Sequence, residues 1–325
     1  MLRTQQVLSL SLLVGVIGLT ACQPKDKPEQ KPQTEQKSAV PQQKEPVLEA
    51  KQVDVIVTMP ECKGNTCPQF DVKRLSSNYA FVDDAVDQAV LSSLGQILDV
   101  NEMVKKPVKN SEVQSKKDTA ESQPETSQTN STTTPIDQQN FDAQVQRYAD
   151  VFLDLDREIK TLSANQQISL TVAPKVLQSK GPLVTVVLNT SSYLGGAHGS
   201  ASQQYYNFDL VKKQQLQLKD ILNGNQQAVL EKKFYSAFQN WVMENKLASS
   251  VEEYEQVWKF KLSNNFFLAK QGLILQYGEY EIGPYVVGLP RLVVPYSELQ
   301  DVIKTEYLPP DVKTTAVPAT PEADK

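Results

Sequence analysis

Ile168-Ser169-Leu170-Thr171-Val172, then Leu183-Val184-Thr185-Val186-Val187-Leu188, then Tyr205-Tyr206-Asn207-Phe208 form the stretch that decides the fold. The first segment alternates apolar and polar residues, as a strand does when one face is buried. The second is more continuously apolar, and the third is an aromatic strand reached through the glycine-rich turn Gly195-Gly196-Ala197-His198-Gly199. Consecutive strands of this kind, the last two linked through a glycine-rich turn, belong to the element order from which a largely antiparallel sheet is expected.

Downstream, a helix begins near Gln226 and turns Leu230, Phe234, Phe238 and Trp241 toward a core, and a short helical stretch covers residues 251–260. Phe266-Phe267-Leu268 and the strand from Leu273 to Tyr277 flank Ala269-Lys270-Gln271-Gly272, a predicted four-residue hairpin loop with glycine at a positive φ. Leu292-Val293-Val294 is the last strand, and Pro295-Tyr296-Ser297-Glu298-Leu299 leads into a terminal helix. Upstream, Tyr148, Phe152, Leu155, Ile159 and Leu162 recur at steps of four and three, an amphipathic helix. Phe81, Ala85, Ala89, Leu94 and Ile97 give another apolar face, with Asp83, Asp84 and Asp87 near the positive end of its dipole. Val53, Val55 and Val57 with Phe70, Val72 and Leu75 predict a hairpin. Strands and helices in this order give an α+β fold of largely antiparallel sheet with packed helices, in two closely associated modules.

Two segments contribute little to a core. Residues 23–48 are rich in Gln, Lys, Pro and Glu and predict a disordered tether, about 30 Å between its ends as a coil and roughly 80 Å if extended. Residues 105–140, rich in Ser, Thr, Gln, Lys and Pro, read as a long surface insertion. Residues 309–325 are expected to form a disordered tail.

Residues 7–19 are apolar behind Arg3, too short to cross a bilayer, and end in Leu19-Thr20-Ala21-Cys22. This resembles the lipobox of a bacterial lipoprotein, which makes residues 1–22 a signal peptide and Cys22 the lipidated mature terminus. Stable anchoring takes more than one acyl chain, so such a terminus holds the protein at a membrane. Gln23 rather than Asp after the cysteine favours an outer membrane, facing the periplasm, in a source with two membranes. Cys62 and Cys67, separated by Lys63-Gly64-Asn65-Thr66, are an even pair in an exported chain and predict a disulfide at a hairpin tip. Four intervening residues do not make a Cys-x-x-Cys redox site, and two cysteines with one histidine fall short of a zinc site.

The net charge of −5 and the lack of a Lys/Arg stripe exclude nucleic acid as the expected partner. No cofactor, metal or catalytic residue is predicted. His198, the sole histidine, has no nucleophile or carboxylate placed beside it by sequence, so it reads as a turn residue or a contact on a recognition surface. Glu279 and Glu281 would share a strand face with Cα atoms about 7 Å apart, spacing that permits a glycosidase-like pair. The plainer reading pairs Glu281 with Arg291 or with backbone near Gly283-Pro284. Asp154, Asp156 and Glu158 start like a calcium loop, but Ile159 stands where glycine is needed, leaving solvated charges. Asp83, Asp84 and Asp87 receive the same reading. Tyr277, Tyr280, Tyr285 and Tyr296 offer apolar area with polar tips, suited to core packing or to a glycan or protein ligand.

Tyr193-Leu194-Gly195-Gly196-Ala197-His198-Gly199, Tyr206-Asn207-Phe208-Asp209-Leu210 and Leu216-Gln217-Leu218-Lys219-Asp220-Ile221-Leu222 resemble the extracytoplasmic domain of the RsiV-like family. So do Asn265-Phe266-Phe267-Leu268, Gly272-Leu273-Ile274-Leu275, Tyr280-Glu281-Ile282-Gly283-Pro284-Tyr285, Gly288-Leu289-Pro290 and Val294-Pro295-Tyr296-Ser297-Glu298-Leu299. The resemblance assigns residues 176–308 to that domain of unknown function. The upstream order resembles the module carried by PdaC-type peptidoglycan deacetylases, assigned to residues 49–175. The RsiV-like resemblance implies a lysozyme-like protein as partner, with peptidoglycan or another wall-derived ligand as the other expectation. Family members with a cytoplasmic segment hold a sigma factor; only six residues precede the apolar run here, so no sigma factor is expected. The single histidine cannot supply the deacetylase's paired zinc ligands. The expected function is a non-enzymatic envelope lipoprotein with Tyr193, Gly195, Gly196, His198, Tyr280, Glu281, Tyr285 and Arg291 as candidate ligand-binding residues. The alternatives are a glycan hydrolase or modifying enzyme using Glu281, and a structural accessory of envelope assembly.

Overall fold

A computed structural model of the chain describes residues 45–99, 138–162, 166–181 and 183–308. The signal peptide with Cys22, most of the tether, most of the insertion and the tail lie outside the described residues. Six strands, β1 (Ala50–Asp54), β2 (Gln69–Ser77), β3 (Ser169–Gln178), β4 (Leu183–Tyr193), β5 (Ser200–Asp209) and β6 (Gln214–Leu216), lie side by side in chain order. Only β2 and β3 run parallel; every other neighbour is antiparallel. A parallel pair needs a crossover, and α1 (Ala80–Ile97) and α2 (Gln138–Thr161) lie in that connection.

The two helices cover one face of the sheet. Val86, Val90 and Leu94 of α1 and Phe141, Val145 and Phe152 of α2 pack with Val72, Leu170, Val172, Val184, Val186, Leu188 and Phe208. The opposite face of β4 sends Val187 against Tyr205, Phe267 and Ile274. The continuous apolar run in β4 follows from this, because the strand is covered on both faces.

The second layer is a three-stranded antiparallel sheet of β7 (Phe266–Ala269), β8 (Gly272–Gln276) and β9 (Arg291–Val294). It packs with α3 (Gln227–Glu244) and the one-turn α4 (Val251–Glu255). Leu230, Phe234 and Phe238 of α3 are fully buried, each side chain contributing about 1.5–3 kcal/mol by burial. Val242, rather than Trp241, completes that buried stripe.

Several expectations change in detail. The chain is already in the fold at residues 47–48: Val47 bridges to Lys180 and Leu48 is buried, so the tether ends before residue 48. Helix α2 starts at Gln138, within the stretch assigned to the insertion. The expected module junction at residues 175/176 falls inside β3, whose two halves pair with one strand, β4. Ala269 and Gly272 pair with each other, so the hairpin turn proper is Lys270-Gln271. Gly272 is required because Val294 O would lie 2.1 Å from a Cβ there. The terminal helix is replaced by single 3₁₀ turns at Tyr296–Glu298 and Thr305–Tyr307, since the bridge between Leu222 and Ile303 holds the chain against the core. Leu162 closes no apolar stripe; it is exposed. Asp87 and Asp156 are buried rather than solvated, paired with Arg74 and Lys160.

Candidate functional site

Strand β6 reaches only Asn207, Phe208 and Asp209, so the earlier part of β5 has an open edge. An unpaired edge needs partners for its outward N–H and C=O groups. Side chains of the second layer provide them. The Asn265 amide accepts from Tyr205 N–H at 2.8 Å and donates to Gln203 O at 2.7 Å, replacing one residue of a neighbouring strand. Two residues further along, the Glu279 carboxylate accepts from Ala201 N–H at 3.0 Å and from Ser200 Oγ at 2.8 Å. Beside them Asn207 donates to Phe266 O at 2.7 Å while accepting from Thr185 Oγ1 at 2.8 Å. These bonds dock the layers and fix where the loop after β8 meets the turn before β5.

That loop is itself tightly held. Gln276 is buried and donates to the carbonyls of Tyr277, Leu289 and Pro290, and Arg291 Nε donates to its Oε1 at 2.7 Å. Tyr277 is fully buried with its hydroxyl on Lys261 O at 2.8 Å, and burial raises its phenol pKa. Ile282 is buried, and its carbonyl accepts from Tyr254 Oη at 3.0 Å. Glu281 closes the turn by accepting from Gly278 N–H at 2.8 Å.

The consequence is a three-ring cluster. His198 from the glycine turn stacks on Tyr285, with ring centroids 4.0 Å apart and planes 22° apart. Tyr280 lies 5.9 Å from Tyr285 and 6.5 Å from His198. Tyr285 Oη donates to Gly199 O at 3.0 Å. His198 Nδ1 sits 3.0 Å from the same carbonyl, which can only accept, so Nδ1 carries the proton. In the neutral ring Nε2 is then the acceptor for Tyr280 Oη at 3.3 Å. Tyr280 is 51% and Tyr285 37% exposed. Gly195 and Gly196 adopt φ of 90° and 103°, a course the turn could not take with larger residues.

Of the candidate residues, His198, Tyr280 and Tyr285 meet directly. Tyr193 serves the turn from the other side, its hydroxyl reaching Gly196 O at 3.0 Å and Gln166 Oε1. Arg291 lies further along the β5 edge, donating to Gln203 Oε1 at 2.6 Å and Tyr205 Oη at 3.1 Å. Burial pushes the Tyr205 phenol pKa up, and the Arg291 charge partly offsets the rise. Glu281 pairs with backbone, not with Arg291. The strand expected for Glu279 and Glu281 is a turn in which Tyr280 has φ 61°, so the two carboxylates do not share a strand face. Tyr296 joins the core, its hydroxyl on Ala269 O at 2.7 Å. Cys62 and Cys67 are joined in a disulfide with Cα atoms 5.7 Å apart. Among the described residues no group of three His, Cys, Asp or Glu is arranged to hold a metal ion, and no helix is long and apolar enough to cross a membrane. Asn265 and the anchoring role of Glu279 were not legible as site features; the only signal is a polar residue placed directly before the apolar Phe266-Phe267-Leu268 run.

Comparison with known proteins bears on the second layer most directly. Residues 219–297 match the family described as a protein of unknown function, DUF3298. Over 157 residues the chain is 24% identical to peptidoglycan-N-acetylmuramic acid deacetylase PdaC of Bacillus subtilis (strain 168), a match covering 48% of this chain and 32% of that protein. The chain thus spans about a third of that relative's length. A DUF3298 family protein from Pseudomonas aeruginosa PAO1 superposes with a TM-score of 0.53 at 23% identity, over 80% of this chain and 96% of its own. A DUF3298 family member from Bacteroides fragilis NCTC 9343 gives 0.48 at 17% identity, over 79% and 93%. The chain therefore carries a DUF3298 domain, within an α+β fold shared with the Pseudomonas protein.

Proposed function

We propose that this protein is a lipid-anchored envelope protein that binds an extracytoplasmic ligand, a lysozyme-like protein or a piece of the cell wall, and performs no reaction on it. The observation that carries the reading is the exposed His198–Tyr280–Tyr285 cluster, built from both layers and held by the β5 edge. Rigid rings with polar tips offer contact area at small entropic cost. The likeness to a peptidoglycan deacetylase supports a wall-related role, and the RsiV-like motifs support lysozyme as a candidate protein partner. Cys22 would supply the anchor and residues 23–44 the reach, at an outer membrane facing the periplasm. Glu281 is turned to its own backbone, which favours binding over hydrolysis.

The test uses full-length protein extracted in detergent, mixed with purified sacculi and, separately, with lysozyme. Retention on sacculi or a lysozyme complex, lost in a Tyr280→Ala/Tyr285→Ala double variant, is the expected result. No association with either at about 100 μM, a concentration that detects even weak binding, overturns the reading.

A further inference from the structure

We propose that the His198–Tyr280–Tyr285 cluster is a saccharide-stacking platform that takes the pyranose faces of an uncharged amino-sugar glycan chain. This rests on the binding reading above and names the ligand class.

Three observations lead there. The rings lie within 4.0 to 6.5 Å of one another, at interplanar angles of 22° to 34°. His198 and Tyr285 are stacked and cover each other's facing sides, so the cluster offers the outer faces of a short ring stack together with the half-exposed Tyr280; scattered tyrosines, by contrast, are ordinary on a surface. Pyranose rings present axial C–H groups on their faces, and those pack on π faces that carry partial negative charge. Around the rings stand the Glu279 carboxylate, Ser200 Oγ and the two phenol oxygens. Each retains lone-pair or donor capacity beyond its internal bond, which suits hydroxyl and acetamido groups. The carboxylate and the net charge of −5 disfavour a phosphate-bearing or acidic ligand.

The third observation is backbone strain. Tyr280 sits at φ 61°, a region a bulky residue rarely enters, yet its side chain is half exposed and gains little from burial. Folding alone would place glycine or asparagine there. A ring held at this position by the Glu281 and Glu279 hydrogen bonds is pre-organised for a partner. The patch is open, which suits internal sugars of a chain more than an enclosed terminal one.

The probes are N-acetylglucosamine tetramer and hexamer, both uncharged, and free peptidoglycan stem peptides, each added to the full chain in detergent. Saturation-transfer NMR and calorimetry read the outcome. The expected result is transfer to sugar-ring protons with a Kd between about 10 μM and 1 mM, and none to stem peptides. Tyr285→Ala weakens binding about tenfold or more, whereas Tyr285→Phe, which keeps the ring and loses the Gly199 bond, stays within about threefold. Tyr280→Gly separates binding from folding: it relieves the φ strain, so the melting temperature holds or rises, while glycan affinity falls about tenfold. Absence of transfer from either glycan at about 5 mM, a level that reveals even millimolar binding, overturns the platform. So does unchanged affinity in Tyr280→Gly and Tyr285→Ala. If lysozyme or stem peptide binds and Tyr280→Gly abolishes that, the saccharide assignment falls and the binding reading stands. If neither glycan, sacculus nor lysozyme binds, both fall.

Discussion

The layer under α1 and the seam between the two sheets bury polar groups in opposite ways. Beneath α1, the Arg74 guanidinium donates to Asp87 Oδ2 and lies 4.7 Å over the Phe141 ring, while Asp87 Oδ1, also buried, makes no hydrogen bond among the described residues. Burial outweighs the Arg74 charge and lifts the Asp87 carboxyl to about 6. At the seam, Asn207, Asn265 and Gln276 are neutral amides with both ends engaged. A charged pair with an unused oxygen makes stability depend on pH. A satisfied amide network costs no charge desolvation and fixes geometry. The ring cluster is tied to the second kind of construction, so its shape is insulated from the titration of the first.

Breaking the seam should have the largest effect. Asn265→Leu leaves Tyr205 N–H and Gln203 O without their partners on the β5 edge, a loss of about 2–4 kcal/mol for two stranded backbone groups. Denaturant unfolding reads the stability, and near-UV circular dichroism should show loosened tyrosine packing. Asn265→Asp keeps the acceptor for Tyr205 but sets a carboxylate oxygen against Gln203 O, so it should destabilise as well, most where the carboxyl is ionised. Unchanged stability in both substitutions would mean that the amide is not acting as a strand substitute.

Asp87 comes next. Its folded-state pKa is raised from 3.8 to about 6, so the protonated form is favoured by folding. That contribution is fully present below about pH 4 and is lost as pH rises through 6, up to about 3 kcal/mol for a shift of this size. Asp87→Asn should therefore flatten the stability profile between pH 4 and 7 relative to wild type, measured by urea unfolding at each pH. A wild-type profile parallel to that of the variant would sink the contrast between the two regions.

The sequence was legible where periodicity reports burial directly. Alternation at Ile168, Leu170 and Val172, the steps of four and three in α2 and the unbroken run of β4 each follow from the face or faces that become covered. The three rings were singled out by type and turn context, and the fold joins residues some 80 positions apart, His198 with Tyr280 and Tyr285. The join itself left no periodic trace. Asn265 and Glu279 look like ordinary loop and strand-end polars, and their role exists only because β6 is too short to cover β5. The Glu279–Glu281 strand failed for a local reason, the positive φ at Tyr280, which no residue preference announces. Asp87 likewise groups in sequence with Asp83 and Asp84, yet it lies beyond the first turn of α1, and only its packing against Arg74 shows it to be buried.

A smaller effect is expected at the hairpin tip, where the Cys62–Cys67 bridge closes a short loop and Cys67 O accepts from Gln167 rather than from a seam residue. Cys62→Ser/Cys67→Ser should cost about 2 kcal/mol by loop entropy and leave ligand binding unchanged. A change in glycan or protein affinity would instead tie the tip to the site.

The smallest effect separates a turn-closing carboxylate from a catalytic one. Glu281→Gln retains a side-chain carbonyl that can accept from Gly278 N–H, and the site is partly solvated, so stability should move by less than about 0.5 kcal/mol. Ligand affinity should stay within about twofold, because the substitution removes no ring and leaves the Glu279 anchor on Ala201 and Ser200 in place. A hydrolase using Glu281 as acid or base would lose about a hundredfold or more of any turnover on wall glycan in the same variant. Turnover assays on sacculi beside the binding measurement thus set the two roles against each other: a carboxylate that only closes a turn leaves both readouts flat, and one that works on a glycosidic bond cannot.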